Sequence, residues 1–290
     1  MPYRMSKLSF GSSVLDPIFD INTDLEITGL CHVDKFGFLF LFRDHHCMGY
    51  SDYKGKITLP WMGVIDQKGD KEGTCPLFDH PSSICYWPHL KTCYLLEAGG
   101  SKLKSIEIGS KYCGKINLQD SYRRYFSKID NIESMETACD VNAHGDLYWV
   151  VKNLHRCFKK KMENNMVENY IGNGHAGFSI SNNLSACLLS SPSGIKFLNN
   201  MIYISDSGNH CIREVNVDII RLVMGNPLNE KILSFPSKIV INNSIIYVLD
   251  KYDIKYLSLN DKNNGLILSS QDIVAIESSA RKDIYVLERI

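Results

Sequence analysis

A short apolar run built around an aromatic residue returns six times along this chain. It occurs at Phe38-Leu39-Phe40-Leu41-Phe42, Cys93-Tyr94-Leu95-Leu96, Leu147-Tyr148-Trp149-Val150-Val151, Ile202-Tyr203-Ile204, Ile246-Tyr247-Val248-Leu249 and Ile284-Tyr285-Val286-Leu287. The starts of successive runs lie 55, 54, 55, 44 and 38 residues apart. Runs of this length, bounded by polar turns, read as buried strands. Apolar on both faces, such a strand needs a sheet packed against each side, so one unit requires neighbours.

The fourth unit is the most readable. Residues 193–198 (SGIKFL) form a first strand, and Asn199-Asn200 a turn that tolerates left-handed backbone. Residues 201–206 (MIYISD) form a second strand, Ser207-Gly208-Asn209-His210 turn the chain, 211–217 (CIREVNV) alternate again, and 219–224 (IIRLVM) stop at Gly225. The unit is therefore a four-stranded meander with a long loop ahead of it.

Ser185-Ala186-Cys187-Leu188 with Pro192, Gly194 and Ile195, followed by Tyr203-Ile204-Ser205-Asp206-Ser207-Gly208-Asn209-His210-Cys211-Ile212-Arg213, resembles the opening and centre of an NHL repeat. The match covers about fifty residues and departs at Ser205, at Cys211 and by one extra residue before the proline. His80-Pro81-Ser82-Ser83-Ile84 and Phe235-Pro236-Ser237-Lys238-Ile239 keep the Pro-x-x-Ile of the opening but replace its glycine. An NHL repeat is one blade of a β-propeller. The resemblance thus implies an all-β, six-bladed propeller of four-stranded antiparallel blades, with blades at 25–63, 80–118, 135–174, 193–225, 235–269 and 271–290 plus 3–21 in a single domain 1–290. The sixth run lies close to residue 290, while 3–10 and 14–21 precede the first blade with strand-like patterning. The N-terminal strands are expected to complete the last blade, which removes exposed sheet edges.

Bulk properties agree. At 290 residues and 44% hydrophobic content, the chain can bury about three quarters of its unfolded surface. No apolar stretch approaches the ~18 residues of a membrane span, and the N-terminus carries Arg4 and Lys7 without an apolar signal core. The expected location is intracellular and cytoplasmic, and the Lys-, Asn- and Ile-rich composition admits a virion-associated protein. The 10 cysteines include no C-x-x-C, so free thiols, buried where they fall in strands (Cys85, Cys93, Cys139, Cys211), are expected. Asn183-Leu184-Ser185 and Asn242-Asn243-Ser244 fit the glycosylation pattern but follow no secretion signal.

Several motifs bear on function. Gly172-Asn173-Gly174-His175-Ala176-Gly177 fits G-x-G-x-x-G, but a polar, turn-rich segment follows it where a dinucleotide site needs a helix. No cofactor is expected. Some six-bladed propellers are lyases that hold a metal with channel histidines, and the resemblance makes His32, His80 and His144 the candidate ligands. Calcium-dependent hydrolase propellers use Glu, Asn and Asp at inner-strand ends, and Glu26, Asp140 and Asn142 imitate part of that set. His210 belongs to the repeat's own turn, and His45-His46 read as a solvated turn. Some NHL propellers read single-stranded RNA, which requires basic residues beside exposed aromatic ones. Tyr122, Arg123, Arg124 and Tyr125 with Phe126, and Arg156 with Lys159, Lys160 and Lys161, supply two such clusters, although 32 basic and 32 acidic residues leave no net field. Two long insertions, 63–76 and 109–135, exceed what a propeller needs, and Trp61 stands at the start of the first. The expectation is a non-catalytic protein-binding scaffold or structural subunit, such as a virion component. Trp61 and the two clusters are its candidate contacts, RNA binding is the alternative, and a metal-dependent lyase or hydrolase the second alternative.

Overall fold

A computed structural model describes residues 2–9, 13–127, 129–164, 166–216, 218–279 and 283–290. Among them, six four-stranded antiparallel sheets form a six-bladed β-propeller. The innermost strands are Gly29–Val33, Pro81–Trp87, Thr137–Val141, Pro192–Leu198, Pro236–Asn242 and Ile273–Ser278, and each packs against the next around the axis. Blade 6 closes as expected. Pro2–Leu8 pairs with Ile284–Arg289, setting Met5 opposite Leu287, and Leu15–Asn22 forms the outer edge. The part of the expected first strand at residue 10 lies outside the described residues.

The recurring apolar runs are the second strands, and their packing explains their composition. Successive side chains point to opposite faces, and each face meets a different neighbour. Ile202 and Ile204 pack towards blade 3, while Tyr203 packs towards blade 5. Likewise Leu147, Trp149 and Val151 face blade 2, and Tyr148 and Val150 face blade 4. Six apolar clusters result, one at each junction between adjacent blades. A strand buried on both faces has no room for alternation with polar residues.

Polar residues fix the connections. At the end where the chain crosses between blades, Asp206 accepts the Ser190 N–H (2.7 Å), Asn209 Nδ2 (2.8 Å) and Arg213 Nη1 (3.1 Å). Arg213 also donates to the Ser179 carbonyl and lies over the Phe178 ring, 4.4 Å from its centroid. Asn209 Nδ2 also donates to the Gly177 carbonyl at 2.7 Å, so the end of the glycine-rich loop of 172–177 is gripped by the blade it leads into. Gly172 has φ +93°, and a Cβ there would meet the His155 carbonyl at 2.3 Å, so its glycine is a steric requirement.

Histidine performs a second stitch. His46, His155 and His210 each open a third strand in left-handed backbone, with φ of 53°, 52° and 52°. His46 Nδ1 accepts the His80 N–H (3.2 Å), and His155 Nδ1 accepts the Ser191 N–H (2.9 Å). His210 Nδ1 instead donates to the Ser234 carbonyl. His210 is therefore structural, as expected. His46, read from sequence as solvated, is buried and binds the segment that opens the next blade.

Candidate functional site

The axial channel gathers one chemically distinctive side chain from most blades. Cys31, Cys85, Asp140, Lys196 and Glu277 line a cavity of about 130 Å³ on its axis. Lys196 Nζ lies 3.4 Å from Glu277 and 3.8 Å from Asp140, whose carboxylate also accepts the Phe197 N–H at 2.8 Å. Burial works against the Lys196 charge, but Asp140 and Glu277 outweigh it and hold its pKa above the usual range. Burial raises Asp140 despite that partner. The neighbouring thiols are poor nucleophiles. Cys31 is pushed well up by its contact with Cys93 and by burial, and Cys85 by burial and by Cys139. All ten cysteines are free, and nine are buried with Cys75 exposed.

His32 sits at the mouth of this channel, where the innermost strands turn into the second ones. Its Nε2 is 2.6 Å from the Tyr53 hydroxyl, and its ring stacks on Tyr285 at 5.5 Å. His144 is an exposed turn residue whose N–H donates to Asn142 Oδ1 (3.0 Å). His80 lies at the opposite, crossover end. The three histidines therefore do not converge, and neither do Glu26, paired with Arg289 at 3.3 Å, and Asn142 join Asp140 in one ligand set.

His80 does belong to a charged cluster with Asp79 and Glu133, whose ligand-type atoms lie within 4.8 Å of one another. Its carboxylates already have cations. Lys102 reaches Asp79 at 2.6 Å, Lys68 at 3.3 Å, and Lys68 also pairs with Glu133. Burial would raise Asp79, but Lys102 and His80 hold it at about 2. A divalent ion would have to displace two ammonium groups. The cluster's evident work is to tie insertion 63–76, through Lys68, to Glu133 of the second insertion.

Those insertions correct the reading of the aromatic–basic residues. Strand Tyr112–Ile116 belongs to blade 2, and a helical turn, Asp120–Arg123, follows it. Tyr122 is 1% exposed, donates its hydroxyl to the Gly100 carbonyl and accepts Trp149 Nε1 at 3.0 Å. Phe126 is buried beside it, and Trp61 is buried near Phe36 and Tyr50. The two basic clusters do meet, because the Arg156 guanidinium lies over the half-buried Tyr125 ring at 5.0 Å. However, Arg156 spends its donors on the carbonyls of Gly172 and Asn173, and Lys160 is buried with Nζ on the Asn164 carbonyl (2.8 Å). Lys159 lies over Tyr148 and Tyr170. Arg123, Arg124 and Lys161 remain exposed, without the stacking faces of Tyr122 or Phe126. The signal for burial was present: Leu118, Tyr122 and Phe126 are spaced four apart, the stripe of an inward-facing helical segment.

One exposed feature escaped the sequence reading. The connection from blade 4 to blade 5 presents Leu228, 91% exposed, with Ile232 and Phe235, and the adjoining turn of blade 5 presents Tyr252. Asp250 fixes the end of this connection by accepting the Ser234 N–H (2.9 Å) and the Phe235 N–H (2.6 Å). Lys251 Nζ lies 4.9 Å from the Phe235 ring centroid, and Lys255 Nζ donates to the Ile232 carbonyl at 2.8 Å. Without periodicity, nothing in 226–235 marked these side chains as outward-facing.

No protein-family model matches the chain, and no curated protein matches it in sequence. Its likeness is to solved structures. A chain of a nidogen/laminin complex has TM-score 0.62 at 10% identity, over 99% of this chain and 98% of that one. An auxiliary nutrient binding protein from Bacteroides ovatus has TM-score 0.61 at 10% identity, over 81% of this chain and 58% of that one. A catalytically inactive virginiamycin B lyase from Staphylococcus aureus, solved with quinupristin, has TM-score 0.57 at 11% identity, over 99% and 100%. Identities this low carry the fold alone: what the chain shares with these proteins is the six-bladed β-propeller.

Proposed function

We propose that this propeller is a non-catalytic binding scaffold that holds a protein partner at its crossover end, across blades 4 and 5. The observation carrying this reading is the Phe235 patch. Large apolar and aromatic side chains stand exposed on a connection whose end, at Ser234 and Phe235, is fixed by Asp250. Aromatic and aliphatic anchors dominate protein interfaces, and a prefixed loop loses little entropy when it binds. The channel supports the same reading, since Lys196 stands between and pairs with the two carboxylates that a catalytic metal or acid would use. RNA binding is disfavoured by the burial of Tyr122 and Phe126. A structural subunit of a larger assembly, such as a virion, is one form such a scaffold takes.

The test is native mass spectrometry of the protein purified from its own cells, with metal and nucleic acid assayed on the same sample. A stoichiometric protein partner that is lost from the Leu228→Asp/Phe235→Asp variant is expected. A partner retained by that variant moves the surface elsewhere, and stoichiometric metal overturns the non-catalytic reading.

A further inference from the structure

On the rim of blade 2, away from the channel and from Phe235, both insertions border a cavity of about 370 Å³. Four cations line it, Lys102, Lys104, Lys115 and Arg123, against one carboxylate, Asp70. Leu103 and Ile116 give it apolar wall. Its volume falls in the range of roughly 300–1,000 Å³ usual for small-molecule sites.

Three of these cations already have carboxylate partners, Lys102 with Asp79 at 2.6 Å and Lys104 and Lys115 with acids nearer the cavity, which leaves the Arg123 guanidinium unmatched. Lys104 is 1% exposed, and its ammonium is held by the Leu77 carbonyl (2.6 Å), Glu97 (3.0 Å) and Asp70 (3.3 Å). Asp70 is shared, because Lys115 also takes it at 3.2 Å. Burial pushes Glu97 up to about 7 against the pull of Lys104, so near neutrality part of its compensating charge is withdrawn. The Arg123 backbone bonds to Gln119 and Phe126, but its guanidinium has no hydrogen-bond or ion-pair partner among the described residues. It stands on the helical turn Asp120–Arg123 at the cavity's edge, where a guanidinium can take an oxyanion with two parallel bonds. Walls of low polarizability strengthen each such contact relative to open water.

We infer that this cleft binds a small organic oxyanion, a phosphorylated or carboxylated molecule with an apolar body. Arg123 and Lys115 take the anionic group, and Leu103 and Ile116 take the body. The site is independent of the partner surface at Phe235, so either can fail without the other.

Calorimetric titration at low salt with phenyl phosphate, benzoate and benzyl alcohol tests it. One-to-one saturable binding of at least one anion is expected, without binding of the uncharged alcohol, and the tighter anion identifies the head group. Arg123→Gln and Lys115→Gln leave the buried Lys104 pair intact and are each expected to weaken binding about tenfold. Their thermal midpoints should match the parent protein, and added salt should weaken binding in the parent. Failure of both anions to saturate, equal binding of benzyl alcohol, or parent-like affinity in both folded variants would overturn the inference.

Discussion

In blade 4, Asp206 closes the second strand, takes the N–H of Ser190 ahead of the blade, and pairs with Arg213 seven residues later. In blade 2 the same places are held by Glu97, the N–H of Asp79 and Lys104, again seven residues on. Both pairs are buried, each acid at 0% exposure. In register, Asp206 faces Pro192 and Glu97 faces Pro81. Blade 5 repeats the device with Asp250, the N–H of Ser234 and Lys255, over a turn two residues shorter. The comparison teaches that this repeat preserves a charge pattern and a backbone hydrogen bond rather than residue identities. Blade 4 is recognisable because it keeps Asp and Arg, whereas blade 2 keeps only their chemistry.

Replacing Arg213 with Met is the most disruptive way to test that equivalence. It leaves Asp206 buried without its cation and removes the grip on Ser179 and Phe178. A loss of about 3–5 kcal/mol is expected in urea unfolding, with faster amide exchange across 173–190. A loss below about 1 kcal/mol would mean that the blade 4 pair is ornamental.

Lys104→Met should cost less, and its cost should depend on pH. Burial raises Glu97 to about 7 and Asp206 to about 6, so the blade 2 acid takes a proton more readily. A carboxyl whose folded pKa is raised stabilises the fold fully below its unfolded value, and that contribution is lost as pH rises through the folded value. For Glu97 the window runs from the ordinary glutamate range to about 7. Without Lys104, the neutral acid is tolerated at pH 6 and the ionised one is not at pH 8. The expected penalty is about 1–3 kcal/mol, larger at pH 8. Equal penalties at the two pH values would remove the distinction between the blades.

The same logic explains what could be read from sequence. The second strands announced themselves because burial on both faces leaves no polar position, as at Leu147–Val151. N-terminal closure followed from counting strands. The blade 2 clamp was hidden because Glu and Lys replaced the residues that make the repeat recognisable. Tyr122 was misplaced for a different reason. Arginines beside an aromatic residue suggest a stacking surface, yet Arg123 points out while the ring points in, a distinction set by helical phase rather than composition. Lys196 carried a visible signal, a lone charge in the middle of an innermost strand. Its partners Asp140 and Glu277 come from blades 3 and 6, and only closure of the ring brings them together.

The smallest expected effect concerns the histidine stitch, which extends to blades 1 and 3. His46 and His155 use an unprotonated Nδ1 to accept a backbone N–H, whereas His210 of blade 4 donates from that atom. Burial lowers the pKa of His46 and of His155, with neighbouring His80 and His175 adding to the shift. A base depressed by folding contributes stability above its unfolded pKa, near 6.5, and that stability is lost as pH falls through the lower folded value. His155→Asn keeps an acceptor in this position but cannot titrate. Its unfolding free energy should therefore fall less than that of the parent protein between neutral pH and about pH 5, by up to about 1 kcal/mol. Parallel pH profiles would show that protonation at His155 is not coupled to folding, and would leave the stitch as geometry without a titrating role.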